Sequence, residues 1–377
     1  MKKGINQELM RATNKNQILL AIRKNAPVTV KDLADRLGLS ITSVTTFINE
    51  LSAAAKIESC GAAKSTGGRK SALYRLNPDA QYFLGMDLQV DRIVLVMLDF
   101  SGNLVQSAEI ALPNKDEWRV ASQINELMAR FVAELQIPPL KLGGVGIGVP
   151  GIVNQKTGLI EFAPNLGWKN VDLGLLLDLK VPFRIENEAN AAAWGEKNFG
   201  AAREAANMIF ISVGIGIGCG LIIENRLFAG PAFQAGEFGH MTLFPDGIPC
   251  QCGNNGCWEV YASNEAALQR YTRITGQKLG HYEDLLRLYH QADPAAVTVL
   301  TETIQCLGLG IANIVNGLNP EMVVIGGKII EAEMLFPPLL KEIKAHSLDK
   351  TFSGLSIRFS GLQNKAAAWG VAGMMMD

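Results

Sequence analysis

The stretch FLGMDLQVDRIVLVMLDFSGNLV (83–105) decides the class of fold. It reads as a strand, a short turn, a second strand, the turn Ser101-Gly102-Asn103 and the start of a third strand. Outward from it, GGVGIGVPGIV (143–153) is a buried strand running into a Gly-Pro-Gly turn, and FRIENEANAAAWGE (183–196) is a strand ending in polar residues and then a helix. MIFISVGIGIGCGLII (208–223) is a strand, a glycine-dense turn and a second strand, and MVVIGG (322–327) is a buried strand closed by two glycines. Strands alternating with helices predict an α/β fold. Ligands in such folds collect beyond the carboxyl ends of strands. Those ends carry Asp87, Pro150-Gly151, Asn187-Glu188 and the glycine turn.

A chain of 377 residues exceeds one compact core and predicts two or three domains. Apolar residues at 48% and charged residues at 19% exclude a disordered chain. The reading also expects no apolar run of membrane-spanning length, no secretory leader in MKKGINQELMRATNKNQ, and a bacterial cytoplasmic protein without membrane insertion.

The overall charge of −1 conceals an asymmetry. Residues 1–75 hold 13 Lys and Arg against 5 Asp and Glu, a net of +8, so the remainder carries −9. A basic first fifth on an acidic body predicts that this part meets a polyanion. Ile18, Leu19 and Ile22 form a helical stripe, and Pro27 ends it. Thr29 and Asp32 stand at capping-box spacing before a helix that buries Val30, Leu33, Ala34 and Leu37. Gly38-Leu39 turns the chain, and Ser40 caps a third helix whose expected buried side is Ile41, Val44, Ile48 and Leu51. Two short helices joined at a glycine form a helix-turn-helix pattern. The third leaves Thr42, Ser43, Thr45, Thr46 and Asn49 outward, side chains that suit base edges and phosphates in a major groove. Ile57 and Leu73 then flank a loop with Gly67-Gly68 at its tip and Lys64, Arg69, Lys70 and Arg75 around it, which reads as a basic wing. Asn77-Pro78-Asp79 marks the boundary.

Six cysteines are too few for a disulfide scaffold, yet Cys250, Cys252 and Cys257 fall within eight residues. With His240 they give H-x9-C-x-C-x4-C. Three thiolates and an imidazole suit tetrahedral zinc, and four protein ligands make a closed, structural site. Gly253 and Gly256 let the loop fold back round an ion.

GVPG (148–151), ENEAN (186–190), the glycine turn 214–220, GEFGH (236–240), CQCGNNGCWE (250–259) and VIGG (324–327), in that order, resemble the ROK family of bacterial repressors and sugar kinases. The resemblance spans essentially the whole chain, and ENEAN and the end of the cysteine motif look closest to its xylose-repressor branch. It implies a two-lobed, actin-like (ribonuclease H-like) kinase fold behind the winged helix-turn-helix. The expected domains are 1–78 for DNA binding, 79–190 with 361–377 returning as the small lobe, and 191–360 as the large lobe with the metal and the oligomerisation surface. Its sugar contacts fall on Asn165, Asn187, Glu188, Glu237, His240 and Glu259, and carboxylates and amides are apt partners for sugar hydroxyls. His240 could ligate zinc with one ring nitrogen and donate from the other.

The resemblance also shows what has been lost. Where the family's kinases carry Asp-x-Gly-Gly-Thr, this chain reads Asp87-Leu88-Gln89-Val90-Asp91, and where they carry Gly-Thr-Gly it reads Gly214-Ile215-Gly216. Glu188 stands in place of the catalytic Asp, and roughly an ångström of misplacement can lower a rate on the order of a hundredfold. The expectation is a non-enzymatic repressor of carbohydrate-utilisation genes, a homodimer or tetramer that senses a sugar, xylose foremost, in a degenerate kinase cleft. The alternative is an active or bifunctional sugar kinase carrying a DNA-binding arm.

Overall fold

A computed structural model describes residues 2–63 and 71–376. The wing tip, with Arg69 and Lys70, lies outside the described residues. The chain opens with α1 (Lys2–Asn25), α2 (Val30–Leu37) and α3 (Ile41–Ala53), followed by the antiparallel strands β1 (Ile57–Ala62) and β2 (Ala72–Leu76). The start of α2 is a capping box. The Thr29 hydroxyl accepts from Asp32 N at 3.1 Å, and an Asp32 carboxylate oxygen accepts from Thr29 N at 2.8 Å. Gly38 ends α2 at φ +63°, and the Ser40 hydroxyl accepts from Ser43 N at 3.1 Å to start α3.

Ile18, Ile22, Leu33, Val44, Ile48, Leu51, Ile57 and Leu76 form the buried core of this unit. Two expectations about α3 need correction. Ile41 lies 58% exposed rather than buried, and Phe47 fills the place in the core. Ile41 is the first helical residue, at the tip, where no neighbouring element covers it. The same core continues into Phe83, Val94, Val96, Leu98 and Phe100, and Phe100 N donates to Pro78 O at 3.1 Å. The winged helix is therefore docked on the body rather than tethered to it.

The body repeats one arrangement twice. The first sheet comes from β3 (Tyr82–Leu88), β4 (Arg92–Asp99), β5 (Leu104–Ala111) and β6 (Leu142–Val149), with a three-stranded flap of β7 (Ile152–Val153), β8 (Ile160–Ala163) and β9 (Trp168–Val171), and is completed by β10 (Phe183–Asn187). Its strand order is β10-β6-β3-β4-β5, antiparallel through β3, β4 and β5 and parallel through β3, β6 and β10. The second sheet is built from β11 (Met208–Val213), β12 (Ile217–Ile223), β13 (Arg226–Leu227), β14 (Met322–Gly327) and β15 (Ser356–Phe359), in the order β13-β12-β11-β14-β15. It too joins an antiparallel hairpin to parallel strands.

Four helices are named for their place against these sheets: α4 (Glu117–Glu134), α5 (Glu188–Asn198), α6 (Pro294–Leu318) and α7 (Ala366–Met374). Helix α4 packs on the first sheet and α6 on the second. Helix α5 packs against β11 and β12, and α7 lies against α5 on one side and β3, β4 and β6 on the other. A fully buried Glu196 fastens this join. Its carboxylate accepts from Ala201 N at 2.7 Å, from Leu362 N at 3.0 Å and from Ser360 Oγ at 2.5 Å.

Helix α6 corrects the expectation that no segment is long and apolar enough to cross a bilayer, because it meets both criteria. Its apolar stripe, from Val299 and Leu300 to Ile314 and Val315, is instead the centre of the second core.

Candidate functional site

Two surfaces carry chemistry. On the winged helix, α3 presents Ile41, Thr42, Ser43, Thr45, Thr46 and Asn49, all exposed. Thr45 Oγ1 donates to Ile41 O at 2.8 Å and Thr46 Oγ1 to Thr42 O at 3.0 Å. Glu50, the acidic residue of this helix, is neutralised by Arg11 and Lys15 of α1, so it does not confront a polyanion as a bare charge.

The second surface lies at the carboxyl ends of the strands. Asp87 sits at the end of β3, buried, with one oxygen accepting from Gln89 Nε2 at 2.7 Å. Its other oxygen has no protein partner among the described residues. Gln89 N donates to Arg92 O at 2.9 Å, closing a tight turn through residues 89–91. Arg92 holds the Asp91 carboxylate at 2.9 Å. The turn therefore carries three side chains, two of them bonded to neighbours, whereas a phosphate-binding turn exposes bare backbone amides.

Across β6 stands Glu188, the first residue of α5. A Cβ built on Gly148 would come within 3.4 Å of Asp87 Oδ1 and 3.8 Å of Glu188 Cα, so the two acids flank one glycine. Burial, and then the charge of Asp87, raises the Glu188 carboxyl well above the ordinary carboxylate range. Burial likewise raises Asp87, against the lowering effect of its Gln89 hydrogen bond. At neutral pH such a pair favours holding a proton.

Asn187 caps α5, accepting from Ala189 N at 2.9 Å and Asn190 N at 3.0 Å, while its amide donates to Gly151 O at 2.9 Å. One of its N–H groups is left for a ligand. Glu186, absent from the expected site, supports it from behind. It is buried, takes Arg184 Nη2 at 2.9 Å and Gln155 Nε2 at 2.8 Å, and accepts from Asn187 N at 3.1 Å. The signal available in the sequence was a carboxylate inside an otherwise buried strand.

The remaining candidates meet beside β12. Glu237 and His240 share one short helical turn, and Glu259 opens the helix Glu259–Ala262. His240 Nε2 lies 3.8 Å from Glu237, and Nδ1 lies 3.3 Å from Glu259 and 3.6 Å from Cys250 Sγ. Cys252 and Cys257 place their sulfurs 3.6 Å apart, and the four ligand atoms of His240, Cys250, Cys252 and Cys257 lie within 4.8 Å of one another. Tetrahedral zinc with Zn–S bonds near 2.3 Å sets its sulfurs about 3.8 Å apart, whereas a disulfide needs about 2 Å. The spacing therefore fits a four-ligand metal and not a crosslink. Burial raises the thiols of Cys250 and Cys257 above their ordinary value, and a cation among them would reverse that. The loop needs its glycines. A Cβ on Gly256 would stand 1.6 Å from Phe244 O, and Gly253 and Gly256 have φ of +96° and +71°.

Glu259 also reaches the glycine turn. A Cβ on Gly216 would meet its Oε2 at 2.6 Å. Glu237, His240 and Glu259 are thus brought together, and so are Asp87, Asn187 and Glu188. Asn165 lies in the turn between β8 and β9, where its carbonyl accepts from Lys115 Nζ at 2.9 Å. Among the described residues no hydrogen bond or ion pair joins its side chain to the other five.

A family model described as "ROK family" matches residues 83–377. The chain belongs to the ROK family. A second model, "Winged helix-turn-helix DNA-binding", matches residues 11–54. The xylose repressor of Bacillus subtilis strain 168 is 33% identical over 98% of this chain and 97% of its own length. A glucokinase of Halalkalibacterium halodurans is 30% identical but covers only 77% of this chain, with 93% of its own length matched. Among solved structures, a ROK family transcriptional regulator described as a homologue of the Escherichia coli MLC protein superposes with a TM-score of 0.84 at 26% identity, covering 97% of this chain and 96% of its own. The ROK glucokinase of Streptomyces griseus, solved with glucose and AMPPNP, gives 0.68 at 29% identity over 78% of this chain and 98% of its own. The regulators span this ROK member end to end, while the kinases match its body and leave out a segment the size of the winged helix. The expected fold, an actin-like body behind a winged helix-turn-helix, is the observed one.

Proposed function

We propose that this ROK protein is a bacterial, cytoplasmic transcriptional repressor of carbohydrate-utilisation genes, that its effector is D-xylose, and that it acts as a homodimer or a pair of dimers holding structural zinc. One observation carries the reading. Two sets of sugar-apt groups, Glu237 with His240 and Glu259, and Asn187 with Glu188, persist in a chain whose turn after β3 carries Gln89, Val90 and Asp91 in place of a phosphate loop's glycines and threonine. Such a cleft can hold a sugar and has no place for a nucleotide's phosphates. The full-length similarity to xylose repressors supports both the role and the sugar.

The parts divide the work as follows. Zinc, when bound, fixes the loop that carries Glu259 and orients the His240 ring. His240 Nε2, turned away from the sulfurs toward Glu237, is then free to donate to a sugar hydroxyl. Glu259 and Glu188 accept from others, and Asn165 closes over the sugar from the flap. On DNA, Thr42, Ser43, Thr45, Thr46 and Asn49 enter the major groove while Arg69 and Lys70 of the wing contact phosphate. Two such units read a two-fold operator with half-sites one or more helical turns apart. Sugar that binds a closed arrangement of the lobes more tightly changes the spacing of the winged helices, and a differential of a few kcal/mol releases most operators.

A melting-shift screen against a sugar panel, with ATP–Mg²⁺ apart, tests the reading. A shift with D-xylose and none with ATP–Mg²⁺, together with xylose-induced release of selected operator DNA, is the expected result. A clear ATP–Mg²⁺ shift, or operator affinity unmoved by any saturating sugar, overturns it.

A further inference from the structure

The DNA-facing helix carries an apolar reading surface, and we propose that it recognises the C5-methyl groups of thymine in the operator major groove, with Ile41 as the specificity-determining residue. The inference rests on the DNA-binding reading and adds the chemistry of the operator to it.

Three observations converge. Ile41 is a β-branched hydrocarbon side chain at the first position of α3, 58% exposed, although the helical period places it beside Val44 and Ile48. A lone exposed aliphatic residue is ordinary. This one sits at the N-terminal tip of a recognition helix, the part that reaches base edges. Secondly, three of the four hydroxyl groups beside it on α3, those of Ser43, Thr45 and Thr46, are already engaged. Thr45 and Thr46 donate to the carbonyls of Ile41 and Thr42 one turn back, and the Ser43 hydroxyl is paired with that of Ser40 at 2.9 Å. A threonine whose proton is held by its own helix offers an outside ligand a methyl group and an oxygen lone pair. It cannot donate to guanine O6 or N7. Thirdly, Ile41, Thr45 and Asn49 recur at four-residue spacing and so share one stripe of the helix. Asn49 brings an exposed amide, the group that pairs bidentately with adenine N6 and N7.

Hydrocarbon and amide on one stripe match the two halves of a single kind of base pair. Thymine supplies the methyl and adenine the donor–acceptor edge, whereas G·C pairs present no methyl group in the major groove. Arginine and lysine, the usual guanine readers, are absent from residues 41–53. The operator half-site read by α3 is therefore built of A·T pairs with thymine methyls directed at Ile41 and Thr45.

The test uses the full-length protein and a random duplex pool, from which it selects its operator. The selected duplex is resynthesised with deoxyuridine in place of each thymidine in turn, which deletes the methyl and keeps the base pairing. At one or two positions per half-site the loss should weaken binding about fourfold, as expected for one buried methyl. Ile41→Ala should weaken binding to the thymidine operator by a similar factor and erase the deoxyuridine penalty at one of those positions. Thr45→Val keeps the methyl and should bind like the wild type, while Thr45→Ser keeps the hydroxyl and should bind several-fold more weakly. Equal affinity for every deoxyuridine duplex overturns the proposal, and so does the reverse order of the two Thr45 variants. Circular dichroism of each variant guards against a folding defect. If no duplex is enriched, the DNA-binding reading itself falls, a result distinct from an enriched operator indifferent to its methyls.

Discussion

The two sides of the cleft have fared differently. On one side, Glu237 and Glu259 each lie within 4 Å of His240, beside a cysteine loop that folds through two left-handed glycines. On the other, the turn after β3 carries Gln89, Val90 and Asp91, with Gln89 bonded to one oxygen of Asp87 and Asp91 paired with Arg92. On the proposed reading, sugar recognition needs only fixed donors and acceptors, which the first side keeps, whereas phosphate recognition needs bare amides and close backbone approach, which the side chains of residues 89–91 oppose. The difference teaches how a cleft of this kind would lose its reaction and keep its ligand, because the two would depend on separate loops.

The comparison breaks most easily at the metal. Cys252 is exposed, so a serine there would be nearly neutral if the sulfurs were only neighbours. With zinc in place, Cys252→Ser should cost about 3 kcal/mol or more, which is roughly 5 °C in a body of about 300 residues. Metal analysis and a melting curve on the same sample read both effects. A variant that keeps its metal and its melting point removes the sugar side's support.

Next in size is the carboxylate that spans both loops. Glu259 lies against His240 and against Gly216. Glu259→Ala removes a charged acceptor worth about 1.5–3 kcal/mol to a sugar hydroxyl. The xylose concentration for half-release of operator should rise roughly 10- to 100-fold, with operator affinity in the absence of sugar unchanged. An unaltered xylose response would place the sugar elsewhere.

What could be foreseen follows the range of the forces involved. Caps, the Gly38 turn and the cysteine spacing are local, and each lies where the sequence placed it. Ile41 was misread because helical period alone cannot tell a covered turn from an uncovered tip. Phe47, three residues after Val44 and four before Leu51, lies on the same stripe and is missing from the expected buried side although its spacing announces it. Glu196 meets Ser360 across 164 residues, and Glu186 supports the Asn187 amide from within a strand. Such pairings are made by the fold and cannot be read from local spacing. The apolar length of α6 is missing from the expectations drawn from the sequence, and its composition is explained by the sheet it covers.

A smaller effect tests whether the acid pair is a relic. The carboxyls of Asp87 and Glu188 are raised by burial, and Glu188 further by Asp87. A raised carboxyl is protonated in the folded and unfolded chain alike only below its ordinary value, near pH 3, where it has almost no influence on stability. As pH rises through the ordinary range of about 4, the unfolded chain ionises freely while the folded chain resists, and the pair destabilises the fold progressively. Glu188→Gln should therefore match the wild type near pH 3 and exceed it by about 1 kcal/mol at pH 7.5. Chemical denaturation at the two pH values reads this. A gain that is equal at both, or a loss at pH 7.5, would mean the carboxylate is stabilised by contacts other than those seen.

The smallest expected effect would rebuild the missing side. Replacing Gln89 and Val90 with glycine and Asp91 with threonine restores amides and a hydroxyl to the turn after β3. Each added glycine loosens the turn by roughly 0.5–1 kcal/mol, so the protein should melt a few degrees lower. In exchange it should gain a melting shift of about a degree with millimolar ATP–Mg²⁺, since binding at its Kd stabilises by only RT ln 2, about 0.4 kcal/mol. Sugar phosphorylation should stay undetectable, because Glu188 and Ile215 are unchanged. If the rebuilt turn confers no nucleotide response at all, the loss lies deeper than three side chains. If it confers turnover, Glu188 can still serve as a base, and the line between sensor and kinase in this cleft is drawn by the turn alone.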